Sequence, residues 1–357
     1  MAQSAASTHP HRDWFSVLES SLSTSRCATR CLQIGAGRLL VTIYAARILG
    51  CELPGVSGNI FYHNPQLEDP QTAAAPLQAA SGNIGGDRLW IAPEIAYMWP
   101  STADARRDPF NTSRMLPQLD PADWHVEHES TAAIHLRTAM TITDQRTGQN
   151  ITLALRRKLE ALDDSGMFPG AIKSLSFSLT SELTVTAGDP GALACTWDLL
   201  QIPPGGTLVV PTHGPVPAPR SYYNPWGSLL QSAHDRINFT VTGQGSNKFG
   251  LSPTQTTGRM AYLRKVGDLT TLIFRSFQPQ PAEPYVDVPI TSDERFGGDA
   301  LQVFNGYNFG EMEVQDPGLI AGQGPTSRTN RYVTHVLAGP DKDVREAGRK
   351  LLGLTSL

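Results

Sequence analysis

Gly306-Tyr-Asn-Phe-Gly-Glu-Met-Glu-Val-Gln-Asp-Pro317 contains an alternation of polar and apolar residues with a period of two. Successive side chains of a β-strand point to opposite faces, so Glu311, Glu313 and Gln315 share one face, and the two apolar residues between them share the other. If the polar face borders a concave surface, a carboxylate there can transfer protons and an amide can bind hydroxyl groups, as a sugar ligand requires. The alternative is an ordinary solvated face of a half-exposed antiparallel strand.

The composition favours a β-rich protein. Of the 357 residues, 32 are Gly and 27 are Pro, charged residues make up 17%, and few apolar runs reach helix length. This combination is typical of many short strands joined by turns. Strand-like runs recur from residue 32 to residue 337 without a long linker, so we predict one continuous domain over residues 31–357, closed by a C-terminal helix at 341–352. Residues 1–30 are predicted to form a helical or irregular extension, with an amphipathic helix from Asp13 to Cys31.

Charge and hydropathy exclude several classes of partner. The formal net charge is −4 and basic residues do not cluster, which argues against recognition of nucleic-acid phosphates. No apolar stretch is long enough to span a bilayer, and no basic region followed by an apolar core opens the chain, so we expect a cytoplasmic protein that does not bind a membrane. The four cysteines form no zinc pattern. We therefore predict reduced thiols and no metal or other cofactor.

A second group of functional candidates lies in Gly85-Gly-Asp-Arg-Leu-Trp-Ile-Ala-Pro-Glu94. The two glycines allow the backbone to turn tightly before the strand, and Asp87 and Arg88 can pair. The proline places Glu94 at the end of the strand. Arginine suits bidentate contacts with sugar hydroxyls or a carboxylate. The alternative is a structural ion pair buried beside a tryptophan.

Further candidates for ligand contacts are scattered along the chain. Aromatic side chains can stack on the apolar faces of sugar rings, and histidine or lysine can bind hydroxyl or carboxylate groups, although each also has an ordinary structural role. These candidates are His63 in Asn59-Ile-Phe-Tyr-His-Asn-Pro65, His213, Tyr222 and Trp226 in Ser221-Tyr-Tyr-Asn-Pro-Trp226, and Lys248 in Asn247-Lys-Phe-Gly-Leu-Ser-Pro253.

Read in order, five motifs resemble a galactose mutarotase-like family of bacterial proteins with largely undefined activity. The motifs are Asn59-Ile-Phe-Tyr-His-Asn-Pro65, Gly85-Gly-Asp-Arg-Leu-Trp-Ile-Ala-Pro-Glu94, Trp197-Asp-Leu-Leu-Gln-Ile-Pro-Pro-Gly-Gly206, Asn247-Lys-Phe-Gly-Leu-Ser-Pro253 and Glu311-Met-Glu-Val-Gln-Asp-Pro317. The resemblance implies an all-β fold, a single large antiparallel supersandwich with a few short peripheral helices. Aldose epimerases, several polysaccharide lyases and accessory domains of glycosidases share this fold, so the fold alone does not determine the reaction.

The resemblance also implies roles for individual residues. In the epimerases a strand glutamate near the C-terminus takes the proton of the anomeric hydroxyl, a histidine donates to the ring oxygen, and an arginine binds hydroxyls. Glu313 matches the glutamate and Arg88 the arginine. The family histidine falls on the strand that here reads Trp197-Asp-Leu-Leu-Gln201, which contains none. His213 or His63 would have to replace it, and we assign His213.

Three functions follow as hypotheses for a protein, monomer or homodimer, that binds a mono- or oligosaccharide. The first is a mutarotase or epimerase with Glu313 as general base and His213 as acid. The second is a lyase on uronic acid residues, or another glycoside-processing enzyme on this fold. In the lyase, Tyr222, Tyr223 or His213 abstracts the proton beside the substrate carboxylate, which Arg88 or Lys248 neutralises. The third is a sugar-binding protein without catalysis. The residues predicted to position the sugar are Arg88, Asp87, Glu94, His63, Lys248, Gln315, Tyr222 and Trp226.

Overall fold

Two ten-stranded antiparallel β-sheets, packed face to face, make up most of the computed structural model, which describes residues 13–78, 83–107, 109–114 and 116–357. In the described part of the chain the strands are β1 (Thr29–Ile34), β2 (Gly37–Thr42), β3 (Arg47–Glu52), β4 (Asp87–Ala92), β5 (His125–Glu129), β6 (Ala133–Thr143), β7 (Asn150–Ala161), β8 (Lys173–Gly188), β9 (Leu193–Ile202), β10 (Gly206–Pro211), β11 (Arg220–Ser221), β12 (Leu230–Ser232), β13 (Arg236–Val241), β14 (Asn247–Leu251), β15 (Arg259–Val266), β16 (Leu269–Ser276), β17 (Leu301–Gly306), β18 (Phe309–Gln315), β19 (Leu319–Ile320) and β20 (Ser327–Gly339). The α-helices described there are α1 (Trp14–Thr24), α2 (Pro70–Gln78), α3 (Glu94–Tyr97), α4 (Thr102–Arg107), α5 (Pro109–Thr112) and α6 (Asp341–Leu352). The predicted all-β antiparallel sandwich with short peripheral helices is confirmed.

Each sheet combines strands that lie far apart in the sequence. The first sheet has the strand order β1-β2-β3-β4-β9-β18-β17-β14-β11, with β19 paired to β9. The second has the order β12-β13-β10-β15-β16-β20-β8-β7-β6-β5. The early strand β4 and the late strand β18 therefore both pair with β9, and this brings the two densest motifs of the sequence side by side.

The main apolar core lies between the sheets, and helices cover two outer surfaces. Leu200 and Met312 from the first sheet belong to one buried cluster with Phe177 and Val336 from the second. On the outer face of the second sheet, α6 packs apolar residues such as Val344 against β15 and β16. Outside β2 and β3, α1 and α2 share a third apolar cluster.

The N-terminal part of the chain differs from the prediction in two places. The helix predicted from Asp13 to Cys31 ends at Thr24, and Arg26 then takes a left-handed turn with φ of 59° into β1. Because β1 begins at residue 29, the sheet starts two residues before the predicted boundary at residue 31. Residues 67–80 are rich in Ala, Gln and Pro and lack strand periodicity, which predicts a surface connection. The segment instead contains α2, which buries apolar side chains against α1; residues 79 and 80 lie outside the described part. Helix α6 has the predicted bounds and ends at Gly353, whose φ is 71°.

Four charged side chains are buried between the sheets. Asp87 accepts a hydrogen bond from Arg157 at 2.6 Å and another from Arg275, and Arg157 lies 3.4 Å from Asp198. All four are at most 2% exposed. The prediction that Asp87 pairs with Arg88 is wrong, because neighbours on a strand point to opposite faces. Asp87 therefore contributes to packing between the sheets and does not reach the outer face on which Arg88 lies.

The single-domain organisation remains a prediction that limited proteolysis can test. The first sheet needs strands from both ends of the chain, so neither half can complete it alone. We expect the first cuts within residues 67–80 or 98–124, followed by loss of the whole fold. Two separately stable halves after a cut near the middle of the chain would contradict it.

Candidate active site

The polar residues of β18 lie on the outer face of the first sheet, as the alternation predicts. Met312 and Val314 are buried between the sheets, whereas Glu311, Glu313 and Gln315 point to the other side. These three polar residues are 6%, 0% and 1% exposed. The alternative of a solvated sheet face is therefore wrong, since other parts of the chain cover this face.

A cavity of about 140 Å³ remains open in this covered face. Half of the residues in its wall are aromatic, and the wall also carries two cations and two carboxylates. The residues that line it are Arg88, Trp90, Glu94, Met98, Trp99, Pro109, Ser113, Trp197, Tyr223, Lys248, Phe304, Tyr307, Phe309 and Glu311. Flat aromatic surfaces next to paired polar groups are what a ligand with both apolar faces and hydroxyl groups requires.

Arg88 and Glu311 form an ion pair on one side of the cavity. An Arg88 nitrogen lies 2.9 Å from Oε1 of Glu311, and the Gln201 amide donates to the same oxygen at 2.8 Å. The Arg88 guanidinium is stacked 3.5 Å above the Trp90 ring. Burial lowers the pKa of Arg88 to about 10, while Glu311 acts in the opposite direction. The carboxylate is thus oriented through Oε1, and neither donor contacts Oε2.

Lys248 lies between two carboxylates on another side of the cavity. Its Nζ atom is 3.0 Å from Oε2 of Glu94 and 3.1 Å from Oε2 of Glu313, and it lies 4.4 Å from the centre of the Trp197 ring. Burial acts to lower the pKa of Lys248, but the two carboxylates outweigh it, so the pKa is raised. Lys248 therefore keeps its proton, and its positive charge is already paired with two carboxylates.

Glu313 lies beneath the cavity wall. Its Oε2 accepts a hydrogen bond from the Trp197 indole at 2.8 Å, in addition to the contact with Lys248. Its Oε1 is buried and has no hydrogen-bond partner in the part of the chain that the structure describes. Burial raises the pKa of Glu313 to about 8, although Lys248 acts in the opposite direction.

Tyr223 and Asp287 extend this polar cluster. The Tyr223 hydroxyl donates to Oε1 of Glu94, and Asp287 accepts from the Glu94 backbone N–H at 2.6 Å. The other Asp287 oxygen accepts from Gln302 at 2.7 Å and from Gln315 at 3.4 Å. Burial raises the pKa of Asp287 to about 6. Glu94, predicted at a strand end, is the first residue of α3, which directs its side chain into this network.

The two predicted histidines do not line the cavity. His213 is exposed in the turn after β10, in the second sheet, and its backbone N–H donates to Gln255. His63 is hydrogen-bonded to Asn59 at 3.0 Å and to Glu68 at 3.0 Å, in the loop that precedes α2. The structure therefore does not bring His213 to Glu313, and the role of proton donor predicted for His213 needs another residue.

The predicted aromatic contacts Tyr222 and Trp226 have packing roles in the structure. The Tyr222 hydroxyl donates to the backbone oxygen of Asp287 and to Asp299, each at 2.9 Å, so it faces away from the cavity. Trp226 packs edge to face against Phe249, with 6.2 Å between ring centres. The neighbouring Tyr223, considered only for the lyase hypothesis, is the residue of this motif that lines the cavity.

The sequence located part of the site and missed part of it. Of the predicted site residues, Arg88, Glu94 and Lys248 line the cavity, Glu313 and Gln315 lie beneath it, and Asp87, His63, His213, Tyr222 and Trp226 lie elsewhere. The sequence assigned no role to Gln201, Asp287 or the aromatic residues of β17 and the β17–β18 turn. The alternation of β18 could have indicated Glu311 equally well as Glu313, because both share one face. Asp287 lies within a Pro-rich irregular segment that carries no periodic signal.

A larger cavity, of about 340 Å³, lies on the outer face of the second sheet beside α6. Its carboxylate, Asp341, already accepts from Thr270 at 2.8 Å and from Arg345 at 2.9 Å. Its other charged residues are surface arginines and a lysine, without a buried acid or base. The cavity of about 140 Å³ is therefore the candidate active site, since buried charged groups and aromatic surfaces meet there.

The described residues show neither a metal-binding cluster nor a membrane-spanning helix. They contain no group of three or more His, Cys, Asp or Glu side chains arranged to hold a metal ion. None of their helices has the length and apolar character needed to cross a membrane.

Comparison with known proteins gives a family and a set of similar folds. No curated protein matches the sequence. Similar solved structures include a putative aldose 1-epimerase from Escherichia coli K12 (10% identity, 87% of this chain and 98% of that chain, TM-score 0.46) and a galactose mutarotase-like protein from Lactobacillus casei (9%, 87% and 100%, 0.47). A galactose mutarotase related enzyme from Lactobacillus acidophilus is also similar (7%, 88% and 99%, 0.49). The activity has to be argued from the site itself. A model of a family of unknown function, DUF6786, matches residues 38–355, and the chain belongs to this family.

Proposed function

We propose that the protein is a carbohydrate-active enzyme of the aldose mutarotase or epimerase type, acting on a mono- or oligosaccharide bound in the cavity. The observation that carries the proposal is the Glu311 carboxylate at the cavity wall. Arg88 and Gln201 orient it through one oxygen, and the surrounding aromatic rings provide flat apolar surfaces. A fixed carboxylate beside such surfaces suits proton abstraction from a sugar hydroxyl.

In this reaction Glu311 takes the proton of the anomeric hydroxyl while the bond from the anomeric carbon to the ring oxygen breaks. The ring oxygen takes a proton from a donor, and the sugar opens to the free aldehyde. Rotation about the bond between the first two carbons, followed by the reverse proton transfers, closes the ring as the other anomer. The ion pair with Arg88 holds the Glu311 carboxylate in place throughout. The guanidinium has further N–H groups, which can bind a neighbouring sugar hydroxyl at the same time.

The base in this proposal is Glu311 and not Glu313, the residue assigned from the sequence. Glu311 lines the cavity, whereas Glu313 is 0% exposed and lies behind Trp197 and Lys248. A general base must come within hydrogen-bond reach of the proton that it removes. Both glutamates lie on the same face of β18, so the assignment of the general base moves by two residues along one strand.

The lyase alternative is disfavoured by the charges of the cavity. A lyase must neutralise the carboxylate of a uronic acid, and the cations at this cavity are Arg88 and Lys248. Arg88 is already paired with Glu311, and Lys248 with Glu94 and Glu313. A further negative charge would lie next to these carboxylates, which are at most 7% exposed, and repulsion between charges is stronger there than in water.

Three measurements test the proposal. The interconversion of anomerically pure aldoses is followed by NMR or polarimetry against the spontaneous reaction. Uronic acid polymers are assayed by the absorbance of an unsaturated product, and sugar binding is measured by calorimetry. Faster anomer exchange supports the proposal, an unsaturated product indicates a lyase, and sugar binding without either reaction indicates a binding protein.

Replacement of Tyr307 by Ala is expected to weaken sugar binding about 2- to 10-fold without changing the melting temperature. Tyr307 lines the cavity, is 53% exposed and stacks on Phe304 with 6.1 Å between ring centres, so its loss removes aromatic surface but little of the core. Phe296→Ala is the matched control, because Phe296 is 41% exposed and does not line the cavity. Equal affinity of Tyr307→Ala and the parent for every sugar bound would show that the ligand lies elsewhere.

A further inference from the structure

The cavity of about 340 Å³ beside α6 has an excess of positive charge, although the whole chain carries a formal net charge of −4. Among the described residues, its wall contains four cationic side chains and one carboxylate side chain, that of Asp341. The four cations are Arg236, Arg264, Lys265 and Arg345. The other polar side chains of the wall are those of Thr207, Asn238 and Thr270. A wall with many hydrogen-bond donors and an excess of positive charge is suited to an anion.

Asp341 compensates only one of these cations. Its Oδ1 accepts from the Thr270 hydroxyl at 2.8 Å, and its Oδ2 accepts from Arg345 at 2.9 Å. Arg236 is paired with a carboxylate from outside the wall, because one of its nitrogens lies 3.0 Å from Asp235. Two of the four cations, Arg236 and Arg345, therefore already have an ionic partner.

Arg264 and Lys265 have no ionic partner in the part of the chain that the structure describes. Burial lowers the pKa of Arg264, and Tyr262 acts in the opposite direction, so no carboxylate stabilises this guanidinium. The pKa of Asp341 is lowered mainly by the hydrogen bond from Thr270, and Lys265 contributes least to this change, so Lys265 acts on Asp341 only from a distance. Two positive charges in the wall therefore remain uncompensated.

The size and the lining of the cavity suit a small organic ligand that carries an anionic group. Pockets for small molecules typically enclose about 300–1,000 Å³, and this cavity falls at the lower end of that range. Val209 from β10 and Leu263 from β15 supply apolar surface to the same wall. Apolar surface and uncompensated cations therefore border one space, as an anionic group on a small organic molecule requires.

We propose that this cavity binds a phosphate group, either free or carried by a small organic molecule, through Arg264 and Lys265. A phosphate monoester has a charge of about −1.5 to −2 at neutral pH and three strong acceptor oxygens, which matches two uncompensated cations. Arginine binds such a group through two parallel hydrogen bonds. The cavity lies on the outer face of the second sheet and the candidate active site on that of the first, so this inference does not depend on the proposed function.

Calorimetry on the whole chain tests the site with two probes, inorganic phosphate and glucose 6-phosphate, and with glucose as the uncharged reference. We expect each phosphate to bind at one site per chain, more weakly as the salt concentration rises, and glucose to displace neither. Tighter binding of glucose 6-phosphate would assign the site to a phosphorylated small molecule, because its sugar also covers Val209 and Leu263. Equal affinity for the two probes would assign the site to the free anion.

Two substitutions locate the bound phosphate. Lys265→Gln and Arg264→Gln are each expected to lower the affinity for phosphate by about 10- to 100-fold, because each removes a charge-assisted hydrogen bond. Lys265 is exposed, so its replacement should leave the melting temperature unchanged even if that of the half-buried Arg264 does not. Lys173→Gln is the matched control. Lys173 is exposed at the start of β8 and does not line the cavity, so the affinity should stay within about 2-fold.

Two results would overturn the proposal. One is a parent protein that binds neither phosphate at low salt. The other is parental affinity in both Lys265→Gln and Arg264→Gln, which would place the anion elsewhere on the protein. Neither result affects the proposed function, because the enzymatic assay reports on the opposite face of the sandwich. A protein that accelerates no aldose but binds phosphate in this way would refute the proposed function and support the phosphate site.

Discussion

Glu311→Gln is expected to lower the rate of anomer exchange by about 10²–10⁴-fold while sugar affinity changes little. Gln keeps the side-chain length and an oxygen that can still accept from Arg88 and Gln201. It cannot take the anomeric proton, so the loss should fall on kcat. The measurement is NMR of anomerically pure aldoses, with affinity from calorimetry.

Glu311→Gln also removes the charge partner of a buried guanidinium, so folding has to be checked separately. Glu311→Asp retains the charge beside Arg88 and withdraws the carboxylate by one methylene from the cavity. We expect this variant to fold like the parent and still lose about 100-fold in kcat, because a small displacement of a catalytic group is costly. Parental kcat in both variants would rule out Glu311 as the base.

The second large effect is expected for Asp87→Ala, which should destabilise the protein by about 3–5 kcal/mol. Asp87 is completely buried and accepts hydrogen bonds from Arg157 and Arg275, so its removal leaves two guanidinium groups between the sheets without this partner. A loss of this size is a large fraction of the stability of an ordinary domain. Denaturant unfolding followed by circular dichroism measures it.

Asp293→Ala provides the control for this prediction. Asp293 forms an ion pair with Arg106 at 2.6 Å, but its side chain is 90% exposed. Exposed pairs contribute about 0–1 kcal/mol, since water screens the charges. If Asp87→Ala unfolds at the same denaturant concentration as Asp293→Ala, the buried cluster does not hold the sheets together.

The two predictions concern neighbours in the sequence that the fold separates. Asp87 and Arg88 share one motif and were predicted to act together at the ligand site. In β4 they point to opposite faces, so Asp87 joins the contact between the sheets and Arg88 joins the cavity. The residue types indicated that both would be important, but only the position of β4 between β3 and β9 decides what each one contacts.

Local sequence patterns were sufficient to predict the structure of single elements, such as one strand or one helix. The alternation in β18 predicts which of its side chains share a face, and Asp341 at the start and Gly353 after the end predict the bounds of α6. The segment at residues 67–80 shows the limit of this reasoning. Its Ala- and Pro-rich composition resembles a loop, and α2 forms because Ala73 and Leu77 are buried in the cluster with α1. Tertiary packing here outweighs a weak local preference.

The sequence by itself determined the fold class and the polar face of β18, because both follow from a period of two that each strand carries independently. Only the tertiary structure decided which of Glu311 and Glu313 reaches the cavity, because this depends on how the side chains from β9, β14 and α3 cover β18. It also decided that His213 lies apart from the site and that Tyr223 lies in it. Tyr223 and Glu94 are more than a hundred positions apart, and the periodicity of a single sequence does not predict contacts of this kind.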